Sequence, residues 1–549
     1  MTKIGFYLLL LFALFAYTLN LRLDVMEVDA AQYAQMSWQM LHSKQFLQIY
    51  CGQNAYLDKP PLLFWLNSFS FWLLGISNFS YKLPSLLFAL LGIYSTYRFA
   101  NVYYNEKLAQ TAALMLATSQ ALFLITNDVR TDTMLMGAVI FSIWQWSQFF
   151  ETSKSKNLLL GSIGVALALL AKGPIGLIVT GAALFPHLLW KKNLKQIFDV
   201  RIVLSVFVIA LLITPMCIGL FQQFGMKGLK FYFWTQSFGR ITGESEWNNH
   251  TDPFFLVHST AWAILPWTVF LFVGWLKPVW SFIKNLTQGP EAETLPKHRF
   301  IEIISLSGFT FILLSLSLSK YLLPHYIFVV FPLAAVIAAS YFEEAMDDKQ
   351  QRKFILPLQG VLIFGLCFVA AYLQYAFKGV ELFSLLVLLA MPLSLGVLFF
   401  KTKNWLYASA FAIIYFNALL SGFYYPEILK YQPQSEFGKY MHTRANEQID
   451  FVSYQSGVSF SPVFYAQRLC AGEFTEREKL HQFLEQQKKL FVITGENGLA
   501  DLRTENISFK IIYDRKTFPV SKINGKFLNP ATRESTCEKI YLLEATKAQ

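Results

Sequence analysis

The sequence predicts an α-helical polytopic membrane protein that ends in a small soluble α/β domain. Hydrophobic residues make up 54% of the 549 residues and charged residues only 15%, a composition typical of membrane proteins. Apolar segments of about 20 residues, the length that crosses a bilayer, recur about thirteen times. We therefore divide the chain into a membrane domain, residues 1–425, and a soluble domain, residues 426–549. In the soluble domain, short β-like runs predict strands at 450–454, 490–494, 509–513 and 539–543, and a helix is predicted at 476–487.

The first predicted span is the apolar run 4–21, which follows Lys3 and has no small-residue cleavage site after it. We interpret it as a span and not as a cleaved signal peptide. The Gly173-Pro174 pair predicts a break between two later spans. The further spans are predicted at about 83–103, 108–127, 133–151, 158–172, 173–190, 202–221, 255–275, 301–319, 323–341, 354–376, 380–400 and 405–424.

The segment 61–76 decides the orientation of all later spans. Because it is apolar but short, it either crosses the membrane or lies along its surface. If it is an interfacial helix, the loops rich in Lys and Arg share the cytoplasmic side with the N-terminus, as the positive-inside rule requires. These loops explain the net charge of +11, so nucleic acid is not an expected partner. The external side then receives loop 27–61, residues 128–132, Lys172, loop 222–254 and residues 320–326.

The first external loop, residues 27–61, combines carboxylates with a rigid turn. Asp29 precedes a predicted interfacial helix over residues 30–41, in which Ala30 and Trp38 share an apolar face. Asp29 either caps this helix or serves as a carboxylate that orients an acceptor and takes its proton. Later in the loop, Lys59 stands before a Pro-Pro pair that restricts its backbone. A lysine held in this way suits a phosphate, whereas the alternative is an ordinary exposed loop lysine.

Further charged side chains lie where predicted spans end on the external side. Arg130 has Asp128 and Asp132 beside it, and charges at this depth need a partner or a polar cavity. The pattern therefore predicts either an internal ion pair or a part of the functional site.

Cationic side chains recur on the same side at Lys172, Arg240 and Lys320. Each alone is typical of an anchor at the membrane surface. Together with Lys59 they would surround a lipid phosphate. His250 in the 222–254 loop is either a metal ligand or an ordinary polar residue.

The ordered set of motifs resembles a family. The motifs are Val28-Asp29-Ala30, Asp58-Lys59-Pro60-Pro61-Leu62, Arg130-Thr131-Asp132, Leu170-Ala171-Lys172-Gly173-Pro174, Phe238-Gly239-Arg240, His250 with Asp252-Pro253, Leu265-Pro266-Trp267 and Ser319-Lys320-Tyr321 through Tyr326. They are similar to the bacterial membrane glycosyltransferases of the GT-C class, in particular the lipid A aminoarabinose transferases and the protein mannosyltransferase superfamily.

The resemblance implies a GT-C fold with thirteen spans and a soluble external C-terminal domain. It implies inverting transfer of a sugar from a polyprenyl-phosphate donor to a lipid A-type glycolipid, glycan or protein acceptor. The enzyme would be a monomer in the bacterial inner membrane, with its active site on the periplasmic side. The implied catalytic residues are Asp29 and Asp132, and the implied ligands of the donor phosphate are Lys59, Arg240, Lys172, Lys320 and Tyr326.

The resemblance also implies a zinc ion, held in the aminoarabinose enzyme by a Glu that corresponds to Asp58 and by a His that corresponds to His250. The shorter Asp in this chain and the replacement of the usual Asp-Glu pair by Asp29-Ala30 are departures from the family pattern. The alternative functions are a flippase for lipid-linked sugars and a non-catalytic assembly protein. Cys470 and Cys537 both fall in the C-terminal domain and could pair if that domain faces an oxidising compartment, which the sequence does not establish.

Overall fold

A computed structural model describes residues 2–236, 239, 252, 254–288, 301–319, 321–402, 404–447, 449–457, 459–487, 489–504 and 507–546. The helices of the N-terminal part are α1 (Lys3–Asn20), α2 (Asp29–Ser43), α3 (Leu62–Leu74), α4 (Asn78–Tyr103), α5 (Glu106–Ala117), α6 (Gln120–Asn127), α7 (Thr131–Thr152), α8 (Ser155–Lys172), α9 (Ile175–Trp190), α10 (Arg201–Phe224), α11 (Met226–Lys230), α12 (Phe255–Ala263), α13 (Thr268–Gln288), α14 (Ile304–Ser317), α15 (Phe331–Asp347), α16 (Lys349–Phe377), α17 (Leu382–Thr402) and α18 (Trp405–Leu419). Short 3-10 or π-helical segments at Leu194–Phe198, Phe231–Thr235, Pro324–Val330 and Leu420–Tyr424 join some of them.

Helices occupy every segment that was predicted to span the membrane. By length and hydropathy alone, 7 helices in the described ranges can cross a bilayer, or 8 if α5 and α6, bent by 50°, form one span. Others, such as α9 and α14, are apolar but shorter than 18 residues. The chain is therefore a polytopic membrane protein. The predicted break after Lys172 is confirmed, since α8 ends there and Gly173 takes a φ of +84°.

The loops gather into two sets, as the charge pattern predicted. The first set contains the N-terminus and the loops before α5 and α18. Thr2 N donates to Tyr407 Oη at 2.9 Å, and Lys3 pairs with Glu106 at 3.1 Å. Residues of loops 27–61 and 128–132, the end of α8 and residues 321–326 belong to the second set, where they line one cavity. The fold therefore brings the polar segments of the sequence to one site.

Helix α2 differs from the predicted interfacial helix in two ways. Val28 occupies the N-cap position and Asp29 is the first helical residue, without a side-chain capping bond, so the prediction of Asp29 as the cap is wrong. The helix is also buried on most sides, since Gln35, expected on its polar face, is buried together with Trp38. Residues 51 and 52 of the same loop lie against that face, where Gln32 and Gln35 contact Cys51 and Gln39 donates to the Gly52 carbonyl. Sequence periodicity alone does not reveal such a contact.

The first loop carries a short hairpin of β1 (Tyr50–Cys51) and β2 (Asn54–Ala55). The soluble domain contains a five-stranded sheet of β3 (Asp450–Tyr454), β4 (Gly472–Phe474), β5 (Lys489–Gly495), β6 (Ser508–Thr517) and β7 (Glu538–Thr546). The sheet order is β4-β3-β5-β7-β6. The first three strands are parallel, and β7 runs antiparallel to β5 and β6. The remaining helices are α19 (Tyr425–Leu429), α20 (Gln434–Thr443), α21 (Ser461–Ala466), α22 (Arg477–Gln486), α23 (Glu496–Arg503), α24 (Gly525–Leu528) and α25 (Pro530–Arg533).

The structure thus confirms the predicted strands at 450–454, 490–494, 509–513 and 539–543 and the predicted helix at 476–487.

One hydrophobic core joins the membrane domain and the soluble domain. Phe464 on α21 packs its ring against Phe71 and Tyr81, with centroids 5.9 and 5.8 Å apart. Cys470 and Cys537 are both free thiols, so the conditional expectation of a disulfide is not met.

Candidate active site

A cavity of ≈ 170 Å³ opens where the second set of loops meets. It is lined by Asp29, Gln32, Tyr33, Tyr56, Asp58, Lys59, Arg130, Thr131, Asp132, Lys172, Tyr321, Leu323, His325 and Tyr326. Seven residues chosen from the sequence are among them: Asp29, Asp58, Lys59, Arg130, Asp132, Lys172 and Tyr326. Positions up to about 300 residues apart therefore share one polar cavity.

Arg130 lies between two carboxylates at one side of this cavity. Its Nη1 donates to Asp29 Oδ2 at 2.7 Å and its Nε to Asp128 Oδ2 at 2.5 Å. Burial lowers the pKa of Arg130, but the two carboxylates more than offset this, so the net shift is upward. The predicted internal ion pair is therefore confirmed, with Asp128 and Asp29 as the partners of Arg130. Arg130 also lines the cavity, and its role there stays a prediction.

Buried polar contacts hold the loop that carries Arg130. Lys82 Nζ donates to Asn127 Oδ1 at 2.8 Å and to Asn20 O at 2.9 Å. Val129 takes a φ of +41° and is fully buried. A β-branched residue rarely adopts this conformation, and it persists only where the surroundings impose it. The loop is thus fixed before any substrate binds.

Asp132 and Lys172 form a buried ion pair at the opposite side. Lys172 Nζ lies 2.5 Å from Asp132 Oδ1, and only 4% of the Asp132 side chain and 16% of the Lys172 side chain are exposed. His325 Nε2 lies 3.9 Å from the other oxygen of Asp132. The Lys172 ammonium also stands 4.4 Å from the ring centroid of Tyr326, within the range of a cation–π contact. Asp132 is thus held by cationic and polar groups from two further elements.

Lys59 pairs with its neighbour Asp58, and their side chains are 2.5 Å apart. Asp58 Oδ1 also lies 3.3 Å from Gln236 Nε2, which donates to it and to the Asp58 backbone carbonyl. The Lys59 ammonium occupies the cationic position beside Asp58 in this arrangement. No three His, Cys, Asp or Glu side chains gather at metal-binding distance within the described ranges. His250 lies outside the described residues, so the zinc site stays a prediction.

Tyr33 and Tyr56, which the sequence analysis did not select, line the cavity on the side of the first loop. Burial raises the pKa of Tyr33 and Tyr56 well above 10.0. Both hydroxyls therefore stay protonated at neutral pH, and the two side chains are hydrogen-bonded to each other. Tyr33 lies one helical turn after Asp29 on α2, a spacing that was visible in the sequence. Tyr56 lies two residues before Asp58, and this proximity was the signal for it in the sequence.

His325 is another residue of the cavity that was not selected in advance. It precedes Tyr326 in the polar interruption 320–326 between apolar segments, and this interruption was its signal. Lys320 and Arg240, which were predicted to bind the donor phosphate, lie outside the described residues. Their roles stay predictions.

Glu27 has a different role from the other carboxylates of its loop. Its Oε1 accepts hydrogen bonds from Ser459 Oγ, Phe460 N, Ser461 N and Ser461 Oγ at 2.5–3.0 Å. Burial raises the pKa of Glu27, and these hydrogen bonds oppose the shift. Glu27 thus fastens the first loop to the start of α21 in the soluble domain, two residues before Asp29.

The chain matches known proteins at three levels. Residues 58–218 match the family model of dolichyl-phosphate-mannose-protein mannosyltransferases. An undecaprenyl phosphate-alpha-4-amino-4-deoxy-L-arabinose arabinosyl transferase of Yersinia pestis (strain Pestoides F) is 25% identical over 473 residues, which are 78% of this chain and 78% of that protein. An uncharacterised protein of Aquifex aeolicus (strain VF5) is 23% identical over 483 residues, covering 86% of this chain and 89% of its own length.

Solved structures agree with the sequence relatives on the fold. ArnT from Cupriavidus metallidurans bound to undecaprenyl phosphate superposes with a TM-score of 0.74 at 15% identity and covers 98% of both chains. Its apo state gives a TM-score of 0.71 at the same identity, over 98% of this chain and 97% of that one. These matches favour a transferase over the flippase alternative. The chain is a membrane glycosyltransferase with the GT-C fold, similar to the aminoarabinose transferases and the protein mannosyltransferases.

Proposed function

We propose that this chain transfers a sugar from undecaprenyl phosphate, or a closely related polyprenyl phosphate, to an oxygen of a glycolipid or glycan acceptor. The reaction would take place at the periplasmic face of the bacterial inner membrane. The names of the relatives support this donor, since the Yersinia protein is an undecaprenyl phosphate-linked arabinosyl transferase and the Cupriavidus protein binds undecaprenyl phosphate. The two sets of loops and the positive-inside charge pattern support the orientation.

The observation that carries the proposal is the gathering of acidic and basic side chains in one cavity. Asp29 lies beside Arg130, while Lys59 comes from the Pro-Pro turn and Lys172 from the end of α8. Sugar transfer from a phosphate needs a group that receives the acceptor's proton and groups that stabilise the negative charge of the departing phosphate. A flippase site would need neither in this arrangement.

The residues suggest separate tasks in a single displacement. An acceptor oxygen bonds to the anomeric carbon while the bond from that carbon to the phosphate oxygen breaks, so the configuration inverts. Lys59 stabilises the charge that develops on the departing polyprenyl phosphate. Asp29, oriented by Arg130, takes the proton of an acceptor hydroxyl. If the acceptor is itself a phosphate, it is already ionised and Asp29 positions it instead.

Asp132 and Lys172 complete the site on the other side. Because Lys172 is paired with Asp132 and lies against Tyr326, its charge is directed into the cavity from a fixed position. A fixed charge stabilises a developing charge without reorganising during the reaction. The pair therefore serves as a preorganised electrostatic element beside the donor.

Reconstitution of the purified protein tests the proposal. The protein in nanodiscs is incubated with undecaprenyl-phosphate sugars and lipid A, and mass spectrometry identifies any glycosylated product and its anomeric configuration. Transfer with inversion is the expected result. Failure of every such donor to transfer its sugar or to bind, in a sample with an intact thermal unfolding transition, would contradict the proposal.

A further inference from the structure

A second cavity, of ≈ 360 Å³, lies between the soluble domain and the first loop. Gln455, Ser456 and Ser459, which follow β3, line it together with Gly495 at the end of β5. Glu27 and Val28 of the first loop form the opposite wall. Its size is within the range of about 300–1,000 Å³ of small-molecule sites.

The topology of the sheet marks this position as a binding crevice. Strand β3 pairs in parallel with β4 on one side and with β5 on the other. The chain passes from β3 to β4 through α21 and then crosses back over β3 to β5 through α22. The order of the strands thus reverses between β3 and β5. In open α/β sheets, ligands bind beyond the carboxyl ends of the strands at such a reversal.

The walls of the cavity have the chemistry of a carbohydrate site. Gln434, Ser456 and Thr517 contribute amide and hydroxyl groups, and Phe518 and Pro519 contribute apolar surface. Amides and hydroxyls both donate and accept hydrogen bonds, as sugar hydroxyls do. Gln434 Oε1 is buried and has no hydrogen-bond partner within the part of the chain that the structure describes. A buried polar atom of this kind calls for an explanation, and a donor on a bound ligand supplies one.

The two cavities are adjacent along the first loop. Val28 lines the second cavity, and the next residue, Asp29, lines the first. The hydrogen bonds from residues 459–461 to Glu27 keep this loop in place against the end of β3. A ligand in the second cavity therefore has a fixed position relative to Asp29.

We propose that the second cavity binds the glycan part of the acceptor and directs its reacting oxygen toward Asp29. This inference rests on the proposed function, because it assigns an acceptor to the same reaction. The soluble domain then takes part in acceptor recognition, while the membrane domain holds the lipid-linked donor.

The test uses the full-length protein in nanodiscs and, as its probe, the soluble core oligosaccharide released from lipopolysaccharide. Saturation-transfer NMR measures binding of this oligosaccharide to the wild type, to Gln434→Ala and to Thr517→Trp. The matched controls are Gln482→Ala and Thr504→Trp, which change exposed positions of the same domain outside the cavity. Binding of undecaprenyl phosphate is measured in parallel on every variant.

We expect the oligosaccharide to bind the wild type and both controls, and to bind the two cavity variants about tenfold more weakly. Undecaprenyl phosphate should bind all of them equally. No binding to the wild type, or equal binding to the cavity variants, would overturn the inference. If a synthetic polypeptide bound the wild type and did not bind the two cavity variants, the glycan assignment would be overturned as well. If the wild type did not bind undecaprenyl phosphate, that result would instead count against the proposed function.

Discussion

Arg130 Nη1 donates to Asp29 Oδ2 at 2.7 Å, across 101 positions of the chain. This contact joins the loop 27–61 to the start of α7, and it orients the carboxylate that the proposed mechanism uses as a base. Because Asp128 holds the same guanidinium from the other side, Arg130 has little freedom to move. The position of Asp29 is therefore set before the acceptor arrives.

Replacement of Asp29 by Asn tests its role as the base. The amide keeps the size of the side chain and an oxygen for Arg130, but it no longer takes a proton. We expect the transfer rate to a hydroxyl acceptor to fall by about 10²–10⁴-fold, the usual contribution of a general base, while donor binding stays unchanged. The same change at the exposed Asp514 is the control. A full transfer rate in a folded Asp29→Asn variant would show that Asp29 is not the base.

Removal of the Lys59 charge should weaken donor binding. A hydrogen bond to a charged group contributes about 1.5–3 kcal/mol, so Lys59→Gln should raise the Kd for undecaprenyl phosphate by about 10- to 100-fold. Lys44→Gln is the matched control, since Lys44 is an exposed lysine of the same loop. Binding of tritiated undecaprenyl phosphate in nanodiscs provides the measurement. Equal affinities of the two variants would mean that Lys59 does not contact the phosphate.

Lys172 and Asp132 should stabilise the folded protein as a pair, so the effects of replacing them should not be additive. Lys172→Met removes the ammonium partner of the buried Asp132 carboxylate, which costs about 3–5 kcal/mol, and Asp132→Leu removes the carboxylate partner of the Lys172 ammonium. The double variant should recover most of this loss, because neither charge remains. Thermal unfolding of the two single variants and the double variant gives the coupling directly. Additive losses would show that the two side chains do not stabilise each other in the folded protein.

Glu27 should make the stability of the protein depend on pH. Burial raises the folded-state pKa of this carboxyl above 4.5, so the folded protein binds the proton more tightly than the unfolded chain. The resulting stabilisation is complete below pH 4.5 and is lost as the pH rises through the folded-state pKa.

Glu27→Gln removes this titration. The difference in melting temperature between the variant and the wild type should therefore shift in favour of the variant between about pH 4 and pH 8. Limited proteolysis of the segment that joins the two domains gives a second measurement, because Glu27 fastens the soluble domain. A difference in melting temperature that does not change with pH would contradict the assigned shift.

Much of the fold was predictable, because its signals are local. Apolar runs gave the positions of the helices, and alternating runs gave the strands at 450–454 and 539–543. Gly173, at a φ of +84°, ends α8 where the Gly-Pro pair predicted a break. The helix cap was predicted one residue too late, at Asp29 instead of Val28, because Asp29 bonds to Arg130 rather than to its own helix.

The site was predictable only where polar residues interrupt apolar sequence. Asp29, Lys59, Asp132 and Lys172 stand out in this way, and the fold brings all four together. Tyr56 and His325 were missed, because a tyrosine or a histidine near a membrane surface has many ordinary uses. Their places in the cavity depend on contacts between distant segments.

By itself, the sequence determined the helical membrane class, the soluble domain and the ends of helices at which charges gather, because hydropathy and charge act over short stretches of chain. The tertiary structure alone decided the pairing of these charges. Arg130 pairs with Asp128 and Asp29 instead of Asp132, Lys172 pairs with Asp132, and Glu27 bonds to the soluble domain. Buried charges must find partners in space, and the packing of helices distant in sequence determines which partners are within reach.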